Sequence, residues 1–528
     1  MTLKLRTKTF AVLLMASAMA LPASAAMAEA SPELKAAAAT NVDARAQLAQ
    51  QMVDSIYSFA EPGFQEYRTS EYVTGILEQN GFTITRGVAG IPTAWTATWG
   101  EGGPLIALGS DIDGLLGLSQ VPGSPEIKPQ VEGAPGHGEG HNSGMPLVVV
   151  AALAAKDVMQ ANGIEGRLLI WPGVAEELLA TKAFYVRDGV FDGVDASIFT
   201  HVSSGMSIAW GDMLSGMVSV EYTFNGKTAH SGGAPWLGRS ALDGVELMNA
   251  AWNMRREHLP VTQRSHYVIT NGGTQPNIVP DKASVWYYFR EMDFDSVRNL
   301  YETGNEIAEA AAKATGTTVE SRILGYAAPN HGNKVIAETM HANAVRIGMP
   351  QWSNADRTFA RQVQETNNLR VTPLVDTVAP LSTPESRGPA TGGGSDDIGD
   401  VMWTVPTASL FFPANIPGAI GHHTTSAIGM ATPIAHKGVV TGAKVLADTI
   451  LDLVTTPQLI ADAKVYFDTV QMNGRRYDPV LSATDTPAIH LNHDVMERLR
   501  PKMEPFYYDP SRYSSYLEQL GVQYPSDQ

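Results

Sequence analysis

Four short apolar runs each end in carboxylate or imidazole side chains, and no other feature of the sequence constrains the fold as strongly. The runs are "PLIALGSDID", "RLLIWPGVAEE", "ASIFTH" and "TASLFFPANIPGAIGHH". The polar residues that end them are, in chain order, Asp111 and Asp113, Glu176 and Glu177, His201, and His422 and His423. Continuously apolar strands are typical of a sheet that helices cover on both faces. Ligands gather at the carboxyl ends of strands in such α/β sheets, so the pattern predicts a polar site at that edge.

Helical patterns lie between these predicted strands. The segment "SGMPLVVVAALAAKDVMQANG" is long and apolar, with Ser143 as its N-cap and Gly163 as its stop. Later in the chain, "HGNKVIAETMHANAVRIG" has the apolar spacing of another helix. The alternation of strands and helices predicts an α/β domain with a largely buried sheet.

Residues 213–325 predict a second, smaller domain. "MVSVEYTFNG" alternates like a half-buried strand, "RSALDGVELMNAAWNMRREH" has a helical pattern, and two more strands follow in "RSHYVIT" and "ASVWYYFRE". A second helix, "VRNLYETGNEIAEAAAKAT", and a last strand, "TTVESRILG", complete the segment. The order βαββαβ is that of a small ferredoxin-like domain with two layers. We therefore expect an insertion into the larger α/β domain.

The chain is thus predicted to have five parts. They are a leader peptide (residues 1–25), the first part of the larger domain (30–212), the inserted domain (213–325), the second part of the larger domain (326–460) and a C-terminal extension (461–528). The stretch "STPESRGPATGGGSDDIGD" is typical of a linker, but its acidic cluster of Asp396, Asp397 and Asp400 could instead lie beside the polar site. For the extension, the sequence predicts no chemistry.

The N-terminus has the pattern of a secretory signal peptide. Lys4, Arg6 and Lys8 precede the apolar stretch "FAVLLMASAMAL", and "ASA" at 23–25 or "AMA" at 26–28 would suit signal peptidase. The apolar stretch is too short for a permanent membrane anchor. We therefore expect a secreted or periplasmic protein that has no membrane anchor in its mature form.

Composition limits the partners and the ligands. The formal net charge of the 528-residue chain is −17, which argues against nucleic acid and anionic membrane surfaces as partners, because both are bound by basic patches. The chain has no cysteine, so a metal site would use His, Asp and Glu and not thiolate. Without disulfides, the stability of an exported protein must come from its hydrophobic core.

The segment "GAPGHGEGHNSG" at residues 133–144 is the first candidate for such a metal site. His137, Glu139 and His141 are spaced two residues apart, among glycines that allow a close approach to an ion. A flexible polar loop explains the segment equally simply, since the spacing is not that of the H-E-x-x-H helix motif. The segment alone leaves both interpretations open.

The residues at the strand ends favour the metal interpretation when they are taken together. Glu176 and Glu177 could be a solvated helix start, or one carboxylate could hold a metal while the other moves a proton. His201 alone is typical of a buried histidine with a hydrogen-bond partner, and "GHHTTS" alone is typical of a polar loop. As a set, these residues offer the nitrogen and oxygen ligands that suit a pair of divalent ions.

Several long motifs also carry a family resemblance. They are "DID", "GHGEGHN", "AEE", "FNGKTAHSGGAPWLGRSALD", "REH", "GGTQPNIVPDKASVWYYFRE" and "GSDDIGD". On these motifs the chain resembles the M20 metallopeptidase and amidohydrolase family, in the branch with aminoacylase-like enzymes and p-aminobenzoyl-glutamate hydrolase. The resemblance runs from "FAEPGFQE" to "ATPIAHKG". It implies a zinc-exopeptidase-like catalytic domain with a mixed sheet, an inserted lid and dimerisation domain, a homodimer, and two divalent ions (Zn²⁺, Mn²⁺ or Co²⁺).

The resemblance also implies roles for single residues. The metal ligands would be Glu139, His141, Glu177, His201 and a histidine of "GHHTTS", where His423 is favoured and His422 is the rival. Glu176 would be the general base, which takes a proton from the attacking water and later gives it to the leaving amine. His137 would have only a supporting role in the loop.

Three residues of the inserted domain would complete the site. His230 and Asn277 would stabilise the tetrahedral oxyanion, with Asn277 also contacting substrate and His230 reaching across the dimer into the partner's site. Arg290 would bind a substrate carboxylate, because its fork suits that geometry, or would form a surface ion pair.

The chain departs from the family pattern at two positions. Relatives often have cysteine where this chain has Glu139, and a carboxylate should favour harder ions such as Mn²⁺ or Co²⁺ more than a thiolate would. The stretch "EELLATK" lacks the glycine expected shortly after the acid pair, which affects the expected pocket floor.

Three functions fit these observations. The first is a secreted, dinuclear-metal amidohydrolase that cleaves the amide of a small molecule, an N-acyl or N-aroyl amino acid. The second is a metal-dependent exopeptidase or dipeptidase, whose chemistry is the same. The third is an exported binding protein without catalysis, against which the presence of Glu176 speaks.

Overall fold

A seven-stranded mixed sheet forms the centre of the larger domain. The computed structural model describes residues 29–389 and 391–526, so the expected signal peptide lies outside the described residues. The sheet consists of β1 (Thr83–Arg86), β2 (Trp95–Glu101), β3 (Leu105–Asp111), β4 (Gly166–Gly173), β5 (Ala196–Ser203), β6 (Ser207–Ile208) and β13 (Thr407–Pro413). Its strand order is β1-β2-β4-β3-β5-β13-β6.

The four central strands β4, β3, β5 and β13 are parallel, and the outer strands are antiparallel to their neighbours. The central strands are buried along nearly their whole length, as expected for a sheet covered on both faces. Asp111 at the end of β3 pairs in register with Gly173 at the end of β4. The ends of the apolar runs therefore meet at one edge, which confirms the predicted fold class.

Helices cover this sheet. They are α1 (Pro32–Asp43), α2 (Ala46–Phe59), α3 (Tyr67–Gln79), α4 (Gly144–Asn162), α5 (Lys182–Arg187), α8 (Lys334–Ile347), α9 (Asn354–Thr366), α10 (Ile398–Met402), α11 (Thr424–Ala427) and α12 (Pro433–Thr455). The predicted helix after Ser143 is α4, and Gly163 ends it in the left-handed conformation. By length and composition α4 could cross a membrane, but 78% of its most apolar window is buried within the protein, so it is a core helix.

The inserted segment forms a separate antiparallel sheet with two helices. Its elements are β8 (Gly216–Asn225), α6 (Ala241–Arg255), β9 (Arg264–Asn271), β10 (Lys282–Glu291), α7 (Phe294–Thr315) and β11 (Thr318–Ala327). The strand order is β11-β8-β10-β9, and both helices contact β8 and β10. This is the predicted βαββαβ arrangement. A short ribbon of β7 (Gly211–Asp212) and β12 (His331–Gly332) lies where the chain enters and leaves it.

The C-terminal extension packs against both parts of the molecule. It contains α13 (Pro457–Tyr466), α14 (His493–Met503) and α15 (Tyr516–Leu520). Leu481 belongs to the core of the inserted domain, whereas Tyr508 and Tyr516 belong to the core of the larger one. This link could not be expected from the sequence, because a weak apolar pattern does not reveal the surface that it packs against.

An ion pair fastens the extension beneath the site. Arg500 of α14 binds the carboxylate of Glu61, which is fully buried and also accepts the backbone N–H groups of Arg68 and Thr69 at 3.1 and 2.8 Å. Burial raises the pKa of Glu61, and the Arg500 guanidinium opposes that rise. The carbonyl oxygen of Glu61 accepts the N–H of Gly114, next to the strand end that carries Asp113.

We expect Arg500→Ala to lower the free energy of unfolding by about 3 kcal/mol, because it leaves a buried carboxylate without its cation. Arg68→Ala is the matched control. Arg68 is exposed and lies 3.8 Å from Glu71, so its loss should cost less than about 1 kcal/mol. Urea denaturation of the two variants measures the difference, and equal losses would refute the assignment of Arg500 as a structural fastener.

Candidate metal centre

Three strand ends and the loop at 133–144 bring carboxylates and imidazoles into one buried cluster. Ligand atoms lie within 4.8 Å of one another in three overlapping groups of three residues. The groups are Glu139, His141 and Glu177; Asp111, His141 and His201; and Asp111, Glu176 and Asp396. The structure thus assembles five of the predicted ligand and base residues, and it places two aspartates beside them.

His141 is held in place by the Asp113 carboxylate, 3.3 Å from its Nδ1 atom. The other carboxylate oxygen of Asp113 accepts the N–H of Glu177 at 3.0 Å, so one aspartate orients two candidate ligands. The Nε2 atom of His141 is buried and has no hydrogen-bond partner. It lies 3.9 Å from the carboxylate of Glu176. An orphaned ring nitrogen among carboxylates is an arrangement that fits a metal ligand.

His201 projects from β5 against His141, with the two ring centroids 5.3 Å apart. Its Nδ1 atom lies 2.9 Å from the carbonyl oxygen of Val202, which can only accept a hydrogen bond. Nδ1 therefore carries the hydrogen, and Nε2 keeps its lone pair free. Metal-binding histidines typically donate their other N–H in this way.

His422, and not the favoured His423, contacts the candidate ligands. The Nε2 atom of His422 lies 2.7 Å from the carboxylate of Glu139 and 3.3 Å from that of Glu177. The Nδ1 atom of His423 instead accepts the N–H of Thr425 at 3.2 Å, as the cap of α11. His422 has a positive φ of 52°, and this turn separates the directions of the two neighbouring side chains.

The acid pair lies in a short 3-10 turn, Glu176–Leu178, whose backbone is strained on both sides. Ala175 and Leu179 are left-handed, with φ of 51° and 49°. For residues with a Cβ, this conformation costs roughly 1–2 kcal/mol each. The buried carboxylate of Glu66 compensates by accepting the N–H of Ala175 at 2.8 Å. Leu179 thus stands where the family pattern led us to expect a glycine, and its backbone has the conformation that a glycine would favour.

The electrostatics of the cluster fit the binding of cations. Burial raises the pKa of Glu177 to about 8, and burial together with Asp111 and Asp396 raises that of Glu176. Burial alone would lower the pKa of His141, but Asp113 and the surrounding carboxylates raise it to about 10. So many acids in one buried place are stable only with added protons or cations, and divalent ions would supply the missing charge.

Lys182 is a neighbour that sequence reasoning missed. It is fully buried, and its Nζ atom lies 2.7 Å from Asp111, 3.6 Å from Asp396, and in contact with Asp397. The acidic end of the glycine-rich stretch therefore lies beside the site and is not merely a linker. A lysine shortly after the acid pair was the available signal, but a surface position was the simpler expectation.

The inserted domain contributes two separate groups. His230 and Asn277 are exposed and lie together, since Ser231 donates its N–H to the carbonyl of Asn277. Within the described residues, no contact joins either of them to the acid cluster. Arg290 is half-buried, and its Nε atom has no hydrogen-bond partner. His137 lies away from the candidate ligands, with Nε2 3.1 Å from the carbonyl of Ile56.

Comparisons with known proteins agree with this site. Residues 213–316 match the model of the peptidase dimerisation domain of the M20 peptidases. One of the p-aminobenzoyl-glutamate hydrolase proteins of Escherichia coli (strain K12) is 33% identical over 449 residues, which cover 80% of this chain and 92% of that protein. The chain belongs to the M20 peptidase family. The predicted class of enzyme, a metal-dependent hydrolase of amide bonds, is confirmed by this membership.

Two further relatives span most of the chain. The Xaa-Arg dipeptidase of Mus musculus is 26% identical over 440 residues, which cover 82% of this chain and 92% of that protein. The solved structure of a dinuclear metal-binding M20 peptidase from Bacillus subtilis has a TM-score of 0.50 at 16% identity, and covers 78% of this chain and 99% of its own. The same fold therefore extends over both domains.

Proposed function

We propose that this M20 enzyme is an exported, dinuclear-metal amidohydrolase that cleaves N-acyl or N-aroyl amino acids. The observation that carries the proposal is the position of Glu139 between two sets of ligands. On one side it contacts His422, which also lies beside Glu177. Burial opposes the ionisation of Glu139, but the hydrogen bond from His422 and the charges of His201 and His141 lower its pKa to about 2. A carboxylate so placed suits a bridge between two cations.

The two divalent ions would be held by five residues. We assign Glu139, Glu177 and His422 to one ion, and Glu139, His141 and His201 to the other. When bound, the ions would acidify a water and polarise the scissile carbonyl. A cluster of carboxylates and imidazoles without thiolate favours Mn²⁺ or Co²⁺ over what a cysteine-containing site would select, although Zn²⁺ also fits.

The chain's own residues would carry the proton. Glu176 lies within 3.9 Å of His141, and its pKa is raised by burial and by Asp111 and Asp396, so it can hold a proton near neutral pH. Glu176 would take a proton from the attacking water and give it to the leaving amine. His230 and Asn277 are exposed on the inserted domain, where they suit a role in the partner's site of a homodimer, stabilising the oxyanion there.

Arg290 supports a substrate with a carboxylate. Among the described residues no carboxylate forms a direct ion pair with it, so a surface ion pair does not account for this side chain. Similarity to p-aminobenzoyl-glutamate hydrolase favours an aroyl amino acid, and similarity to Xaa-Arg dipeptidase keeps a dipeptidase as the second candidate. A binding protein without catalysis would have no use for Glu176 beside its metal ligands.

A panel of amides tests the proposal. The purified mature protein, loaded with Mn²⁺, Co²⁺ or Zn²⁺, is given N-aroyl amino acids, N-acyl amino acids and free dipeptides. We expect the highest kcat/KM for an acylated amino acid. Faster turnover of dipeptides would identify an exopeptidase, and no turnover with any ion would leave the binding protein. Recovery of the protein in the periplasm or medium, without residues 1–25, tests the proposed export.

The neighbouring histidines provide a matched pair of variants. We expect His422→Ala to lower metal affinity by about 100-fold or more, since the loss of a supporting residue alone costs about 10–100-fold. His423→Ala removes only the cap of a short helix and should cost about 1 kcal/mol of stability. Metal titration with a competing chelator measures both. If His423→Ala has the larger effect on metal affinity, the sequence-based choice of His423 is right and ours is wrong.

A further inference from the structure

The face of the inserted sheet that carries no helix is turned toward the larger domain. Along β10, Tyr287 and Phe289 lie in the core beneath α6 and α7. Side chains alternate along a strand, so Trp286, Tyr288 and Arg290 share the opposite face. Trp286 packs against the hydrophobic cluster of the larger domain, which shows where this face lies.

This face touches the turn that carries the acid pair. Tyr288 packs with Leu179, which follows directly after the turn. At Gly325 on β11, a Cβ would lie 2.2 Å from the carbonyl oxygen of Leu179, so only glycine allows the two backbones to approach this closely. Burial raises the pKa of Tyr288, and the charges of Glu176 and Glu177 raise it further, as expected for a residue beside the acid pair.

Tyr288 also contacts the one cation on this part of the face. The Arg290 guanidinium lies 5.5 Å from the centroid of the Tyr288 ring, a distance at which a cation is attracted to an aromatic face. The Nε atom of Arg290 is buried without a hydrogen-bond partner. An arginine has a long and flexible side chain, and the ring is therefore the contact that fixes its direction.

We propose that Tyr288 is a positioning residue for the substrate carboxylate, an inference that rests on the amidohydrolase function proposed above. The Tyr288 ring supports the Arg290 guanidinium, so that its N–H groups meet the carboxylate of the acylated amino acid next to Glu176. The contribution comes from the aromatic ring and not from the hydroxyl. Tyr288 thereby contributes to the selection of substrates with a carboxylate beside the scissile amide.

The test compares two substrates of the metal-loaded enzyme, an N-benzoyl amino acid and its methyl amide, because only the first offers a carboxylate to Arg290. The readout is the ratio of the two kcat/KM values, which we expect to favour the acid in the parent enzyme. Tyr288→Leu should lower this ratio by about tenfold, through the KM of the acid, since a desolvated cation–π contact supplies about that factor. Tyr288→Phe keeps the ring and should stay within about twofold of the parent.

Tyr267→Leu is the matched control. Tyr267 lies on the neighbouring strand β9 but packs into the core on the other face, with its ring 4.9 Å from Tyr287. Its loss should lower stability and leave the ratio unchanged. An unchanged ratio in Tyr288→Leu, or an equal fall in Tyr288→Phe, overturns the positioning role while the amidohydrolase function stands. A parent enzyme that hydrolyses neither substrate overturns both.

Discussion

Glu176→Gln should lower kcat by about 10³-fold without loss of metal, because the amide has nearly the shape of the carboxylate but cannot accept a proton. Glu176 is assigned to proton transfer and its neighbour Glu177 to metal binding. The variant therefore removes the base and leaves the candidate ligands in place. Steady-state hydrolysis of an N-aroyl amino acid, together with metal analysis of the same sample, measures both quantities.

The adjacent acid is the control for this experiment. Glu177→Gln should lose metal as well as turnover, since Glu177 lies beside His422 and within the ligand group of Glu139 and His141. Unchanged turnover in Glu176→Gln would show that the proton moves by another route. Equal metal loss in both variants would show that the two acids do not have separate roles.

His141→Ala should abolish high-affinity metal binding and, with it, turnover. His141 belongs to two of the three ligand groups and its Nε2 atom is a buried nitrogen without a partner. Loss of a residue that merely supports a ligand costs about 10–100-fold in metal affinity, so loss of the ligand should exceed about 100-fold. Competition with a chelator measures the affinity.

His137 supplies the control, earlier in the same loop. Burial lowers the pKa of His137 to about 3, so this histidine is neutral, and it hydrogen bonds to a backbone carbonyl away from the cluster. His137→Ala should therefore bind metal within about tenfold of the parent, at some cost in stability. If both histidine variants lose metal equally, the loop binds ions differently from our assignment.

The strand ends could be predicted because their physical cause is local. An apolar run of fixed length buries a strand, and the first polar residue after it must lie at the sheet edge. Asp111, Glu176 and His201 follow this rule, and the structure brings all three together. The βαββαβ insertion was equally readable, since its strands alternate and its helices have a regular apolar spacing.

Contacts between distant segments could not be predicted in this way. Lys182 is buried because three carboxylates from other segments surround it, and nothing in its own sequence reveals them. The choice between His422 and His423 depends on a single backbone turn with positive φ. Arg500 finds Glu61 across 439 positions of the chain, a separation at which residue patterns carry no information.

The central claim, a site that works with two ions, is tested most directly by titrating metal-free protein. Mn²⁺, Co²⁺ or Zn²⁺ is added stepwise, and bound metal per chain is measured beside the hydrolysis of an N-aroyl amino acid. We expect turnover to rise to its maximum at two ions per chain, with Mn²⁺ or Co²⁺ at least as effective as Zn²⁺. Full turnover with one ion per chain, or with none, would contradict the account.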